Sequence, residues 1–177
     1  MRRGKSPPPW RKPAMADRPG EGAAVGKTAR NWPLLLGFLV LAACWLGPLP
    51  AMSRTAFSAH MLLHLGVVAL AAPLLAIGLA RAGLRVDGLR HSSAGIALIF
   101  TAEMAVVWGW HAPPLHEAAA LNVWAFVAQQ ASFLAVGLGV WLLGFASDSR
   151  RGLAAAMFGF FLTFVHMTML GVVLIMA

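Results

Sequence analysis

The sequence predicts an all-α integral membrane protein, a bundle of about five transmembrane helices with its N-terminus in the cytoplasm and its C-terminus outside. Three observations carry this prediction. Hydrophobic residues make up 59% of the 177-residue chain and charged residues only 11%, where a soluble domain is usually about a quarter charged; the mean hydropathy is +0.73. The apolar residues fall into runs long enough to cross a bilayer as helices, which takes about 20 residues. These runs are apolar on every side and lack the short alternation of a transmembrane β-barrel. Finally, the basic residues are confined to alternate connections.

Residues 1–31 read as a disordered basic cytoplasmic tail. The stretch is rich in Pro, Gly, Arg and Lys, as in SPPPW and RPGEG, and cannot bury enough apolar surface to order itself. The transmembrane helical domain follows over residues 32–177, with spans expected at about 32–49, 61–80, 93–110, 123–145 and 153–176. The first span reads as a retained helix rather than a cleaved signal, because its basic lead is long and LGPLPAMS is a poor cleavage site. Pro73 removes a backbone donor within span two and predicts a kink there. Pro113 and Pro114 stop span three just past His111, after which LHEAAALN forms a short helix along the interface. Trp32 and Trp45 at the two ends of span one, Trp108, Trp110 and Trp124 on the outer side and Trp141 on the inner side suit rings at headgroup level. No internal repeat suggests an inverted-repeat transporter.

A formal charge of +8 invites a nucleic-acid reading, which the distribution excludes. Arg2, Arg3, Lys5, Arg11, Lys12, Arg18, Lys27 and Arg30 precede the first span. Arg81, Arg85 and Arg90 lie between spans two and three, Arg150 and Arg151 between four and five, and the opposite connections hold only Arg54. Basic loops resist translocation, so this pattern orients the bundle; contact of the tail with anionic lipid is a secondary role. The single cysteine, Cys44, excludes an internal disulfide and any CxxC metal motif. It reads as a small apolar filler, with a soft metal ligand as the lesser reading.

Most of the six histidines gather on one side of this predicted membrane. His60 and His64, four apart at the start of span two, share a helix face. His111 and His116 lie at the end of span three, and alternating spans bring those two ends to the same, outer side. Neutral imidazole binds copper, zinc, iron and nickel, so the grouping predicts a metal or haem site. His166 lies within span five beside Met167 and Met169, and imidazole with thioether is the soft set that favours Cu(I). Met61 and Met104 are further candidate ligands, Met104 lying seven residues before His111 on nearly the same face. Glu103, ionisable within an apolar span, is a functional candidate by default. It could hold a ligand imidazole through its second nitrogen, or serve as a protonated structural acid or a proton-relay group. His91, on the cytoplasmic connection, reads as a hydrated surface residue, and His116 as either a ligand or one more such residue.

Three segments resemble the CtaG-type cytochrome c oxidase assembly family of bacterial membrane proteins. They are His60-Met61-Leu62-Leu63-His64 followed by Ala72-Pro73-Leu74-Leu75, then Trp110-His111-Ala112-Pro113-Pro114-Leu115, then Phe133-Leu134 through Gly137 to Trp141. His166 before Gly171 looks like a further family histidine. The resemblance covers roughly residues 57–171. Phe126 and Gln130 stand where that family usually shows histidines, and typical members continue beyond Ala177 with further spans, which marks this chain as a short, divergent member.

The resemblance implies a non-enzymatic factor of the bacterial cytoplasmic membrane that helps mature a haem–copper oxidase of the respiratory chain. It would bind or deliver copper, as Cu(I), at the outer face, with oxidase subunits or other copper-handling proteins as partners besides the lipid bilayer. His60, His64 and His111 form the core of the expected site. Two other readings stay open: a haem b electron-transfer protein with axial ligands such as His64 and His166, and a metal-free accessory subunit of a membrane complex.

Overall fold

The structure, a computed structural model, describes residues 21–84, 93–145 and 150–176, and all of its regular elements are helical. Residues 1–20 of the expected tail, and His91 with Arg85 and Arg90, lie outside the described residues. Helix α1 runs Glu21–Leu46. Residues 21–31 are thus helical where the composition suggests disorder. The apolar run supplies a nucleated helix, and extending a formed helix avoids the unfavourable nucleation step.

A short turn of helix, α2 (Leu49–Met52), follows Pro48. Helix α3 (Phe57–Leu65) then passes through a π-helical stretch, Gly66–Ala71, into α4 (Ala72–Arg81). The expected disturbance around Pro73 takes the form of this widened turn. Within it the Ala72 N–H donates to the Val67 carbonyl five residues back. The next bond in that series would run from residue 73 to the Val68 carbonyl, and proline has no N–H to make it. The stretch ends at Gly83, whose φ of 97° is the left-handed closing conformation glycine favours. The Leu84 N–H reaches back to the Leu79 carbonyl there.

Helix α5 (Ser93–His111) leads through Ala112 into the short α6 (Pro113–Leu121). Asn122 then opens α7 (Val123–Phe145), its side-chain oxygen accepting from the Trp124 N–H at 2.8 Å as an N-cap. The last helix is α8 (Arg150–Met176). Phe57–Arg81, Ala94–His111 and Val123–Phe145 are long and apolar enough to cross a membrane, and Asn31–Leu46 and Met157–Val173 are shorter apolar stretches.

Helices α1 and α4 approach closely because each offers a glycine to a leucine of the other. A Cβ on Gly37 would overlap Leu75, and one on Gly78 would overlap Leu34, the small-residue packing that serves helices in lipid. Leu41, Cys44, Leu63, Val67, Ala71 and Leu75 form the core between α1 and α3–α4. Cys44 is a buried filler there, as expected. A second core of Val107, Phe133 and Leu170 joins α5, α7 and α8. Helix α7 touches α4, α5, α6 and α8 and so organises the bundle.

The tryptophans correct one expectation. Trp32 and Trp124 are exposed, as interfacial rings would be, and Trp32 lies 5.7 Å from the Arg81 guanidinium. Trp45, Trp110 and Trp141 instead donate inside the bundle, to Gln130, Ser132 and the Val68 carbonyl. Where a buried acceptor needs a partner, an indole N–H gains more from a bond there than from the headgroup layer.

Candidate metal centre

Four imidazoles meet at one end of the bundle. His60 and His64 stand one above the other on α3, their Nε2 atoms 2.8 Å apart and their ring centroids 4.3 Å apart. His111, at the last turn of α5, lies 5.8 Å from His60 and 5.6 Å from His64 between centroids. Pro113 and Pro114 are suited to a helix's first turn, where the missing N–H costs nothing. They start α6 directly after α5 and swing His116 back until its ring is 5.0 Å from His60. His64 is buried, His60 and His111 are half-buried, and His116 is exposed.

The hydrogen bonds set the donor atoms. The Nδ1–H of His111 donates to the Val107 carbonyl at 2.7 Å, which leaves Nε2 as a bare lone pair. That nitrogen is buried without a protein partner, and so is Nδ1 of His64. Unpaired buried polar atoms are costly, and two of them on one cluster are what a site for a bound ion provides. Ligand nitrogens of His60, His64 and His111 lie within 4.8 Å of one another. An ion bonded to imidazole at about 2.0–2.1 Å would need side-chain shifts of only about 1 Å to take all three.

Helix α7 supplies the floor. Phe133, Gly137 and Trp141 recur every four residues and lie along one face. The Phe133 ring is buried against His64 at 4.4 Å and near His111 at 6.3 Å. A Cβ on Gly137 would sit 3.3 Å from the Ala72 Cβ and 3.4 Å from Val68, so glycine allows α7 to lie against the widened turn. Trp141 Nε1 donates at 2.8 Å to the Val68 carbonyl, the acceptor that Pro73 leaves without a donor. The proline of one segment and the tryptophan of another therefore answer each other.

Polar residues given no packing role from sequence tie α5 and α1 to this floor. Trp110 Nε1 donates to Ser132 Oγ at 2.9 Å, and that hydroxyl donates to the Gln129 carbonyl at 2.8 Å, holding the end of α5 on α7. Trp45 Nε1 donates to Gln130 Oε1 at 3.3 Å, which attaches α1. The signal was present: consecutive glutamines within an apolar run must find partners in a bilayer.

The other candidate residues lie around two cavities. Met61 shares with His64 and His111 an apolar cavity of about 220 Å³ that extends down to Glu103 and Thr163. Met104 is 46% exposed and lines a second cavity, with His166. Seven residues bring it back to nearly the same helix face as His111, but about 10 Å further along the axis. Glu103, 2% exposed, does hold an imidazole, but that of His166, at 3.4 Å, not one from the cluster; it also accepts from Thr163 Oγ1 at 2.8 Å. His64 and His166, the pair considered for a haem, line different cavities.

A family model described as cytochrome c oxidase caa3 assembly factor (Caa3_CtaG) matches residues 14–177. No curated protein and no solved structure matches the chain.

Proposed function

The chain belongs to the cytochrome c oxidase caa3 assembly factor family, and from that premise we propose that it handles copper as cargo during oxidase maturation. His60, His64 and His111 hold the ion, with His116 as a fourth, looser ligand. The observation that carries this reading is the convergence of these imidazoles, of which His64 and His111 each keep a buried ring nitrogen that has no protein partner. Neutral imidazoles over an apolar floor suit a soft or borderline ion such as Cu(I) better than a hard, oxygen-seeking one. The partners are oxidase subunits or proteins that pass copper to them. The protein acts without catalysing a reaction of its own.

In this reading the chain lies in the bacterial cytoplasmic membrane with five spans and its N-terminus inside. The two shorter apolar helices complete the three longer ones, and the charge bias sets the direction. The histidine cluster then opens on the outer face. A haem between His64 and His166 is less well supported, since the two rings line different cavities.

The test is a deletion strain. Oxidase activity should fall, the copper content of the isolated oxidase should fall with it, and added copper should restore part of both. An oxidase with full copper content in that strain would refute copper handling and favour a metal-free accessory role.

A further inference from the structure

A second group of polar atoms lies deeper in the bundle. Glu103 and His111 are eight residues apart on α5, so their levels differ by about 12 Å. At the deeper level Glu103 Oε2 accepts from the Thr163 hydroxyl and faces His166 Nε2 at 3.4 Å. With its Nε2–H directed at a carboxylate, His166 is left with Nδ1 as an unprotonated lone pair, and that atom is buried without a partner. A carboxylate holding the far nitrogen of an imidazole is the arrangement that orients histidines ligating metals. The same cavity that His166 lines, about 420 Å³ in volume, is also lined by Met104, whose thioether is a soft donor.

The geometry points to a second soft-metal site, formed by His166 Nδ1 and the Met104 sulfur and oriented by Glu103, separate from the outer histidine cluster. Imidazole with thioether selects a soft monovalent cation, Cu(I) above the harder divalent ions. Glu103 and Thr163 line both this cavity and the one beneath His64 and His111, so these two side chains stand between the two sites. The inference rests on the reading that the protein handles Cu(I), but not on occupancy of the outer cluster.

The experiment is titration of the full chain in detergent with Cu(I) against a coloured chelator, counting equivalents bound. The wild type should take two. His166→Ala should take one, and a His60→Ala, His64→Ala double variant should keep one, the deeper. Met104→Leu changes a half-exposed side chain and leaves the Glu103–His166 pair in place, so it covers the case in which His166→Ala fails to fold. It should weaken the second equivalent at least tenfold and leave the first unchanged. Glu103→Gln should weaken the same equivalent about 10–100-fold. A wild type that takes one equivalent, lost in the double variant, would overturn the second site and leave the outer one standing. One equivalent lost only in His166→Ala would refute the outer site instead. Two equivalents indifferent to both His166→Ala and Met104→Leu would overturn the assignment of the second ion to His166 and Met104.

Discussion

Replacing Trp141 by Phe tests how α7 is joined to the helix that carries His60 and His64. The substitution keeps an aromatic ring against Phe145 and Phe160, whose centroids lie 5.5 and 4.8 Å away, but removes the N–H that satisfies the Val68 carbonyl. A buried acceptor left unpaired costs about 1–3 kcal/mol. Interhelical hydrogen bonds in membranes average only about 0.6 kcal/mol, because the freed group usually finds another partner. Here the natural substitute, an N–H at position 73, is missing. The hydrogen bond should therefore be worth about 1 kcal/mol more than that average. The discriminating measurement is a double-mutant cycle with Pro73→Ala, which restores an N–H five residues beyond Val68. Reversible unfolding in mixed micelles, followed by far-ultraviolet circular dichroism, would give the four stabilities, and the change in ring size cancels across the cycle. Trp141→Phe should cost about 1 kcal/mol less in the Pro73→Ala background, a coupling typical of residues in one network. Equal costs in both backgrounds, within the roughly 0.3–0.5 kcal/mol of ordinary additivity, would refute the claim that Pro73 makes this carbonyl depend on Trp141.

Other outcomes follow from the same geometry. His64→Ala should abolish Cu(I) binding at the outer cluster or weaken it at least 10–100-fold, as even outer-shell changes do, while the exposed His116→Ala should cost less; chelator competition ranks them. Phe133→Ala removes the floor under His64 and His111 and should destabilise the bundle by about 3–5 kcal/mol, the range for large-to-small core changes, lowering both the unfolding midpoint and copper affinity. Gly137→Leu should separate α7 from the widened turn, read as loss of a cysteine crosslink engineered between the two helices. A reporter active only in the cytoplasm should give no signal when fused after Ala177, and a strong signal there would refute five spans with the N-terminus inside.

Much of the fold was legible because length and apolarity are properties of the sequence alone. Phe57–Arg81, Ser93–His111 and Val123–Phe145 fall close to the expected runs. The grouping of His60, His64, His111 and His116 followed from helical spacing and the alternation of span direction. What the sequence hid depends on relations between helices. Pro73 announced a disturbance, but whether it becomes a kink or a widened turn depends on what receives the Val68 carbonyl, and that donor is 73 residues away. Trp141 looked like an interfacial anchor for the same reason, since ring type does not reveal an acceptor on another helix. Glu103 was recognisable as important but not assignable to a partner. Helical spacing shows which face a residue occupies, whereas pairing with His166 depends on the depth at which α8 sits beside α5.

The uneven enclosure of the four imidazoles sets how an ion would leave. A site whose ligands are all equally sunk offers an incoming donor no ligand to replace first, which makes release slow. Here His116 is exposed beside His60, while His64 is shut in against Phe133. In the proposed role, an incoming donor from a recipient protein would take the place of His116 first, then displace the half-buried rings one at a time, with the ion never fully bare. Retention and release would be separated in that role: the sunken histidine would govern how tightly the ion is kept, and the open one how quickly it is handed on. A carrier built this way would bind firmly without becoming a trap.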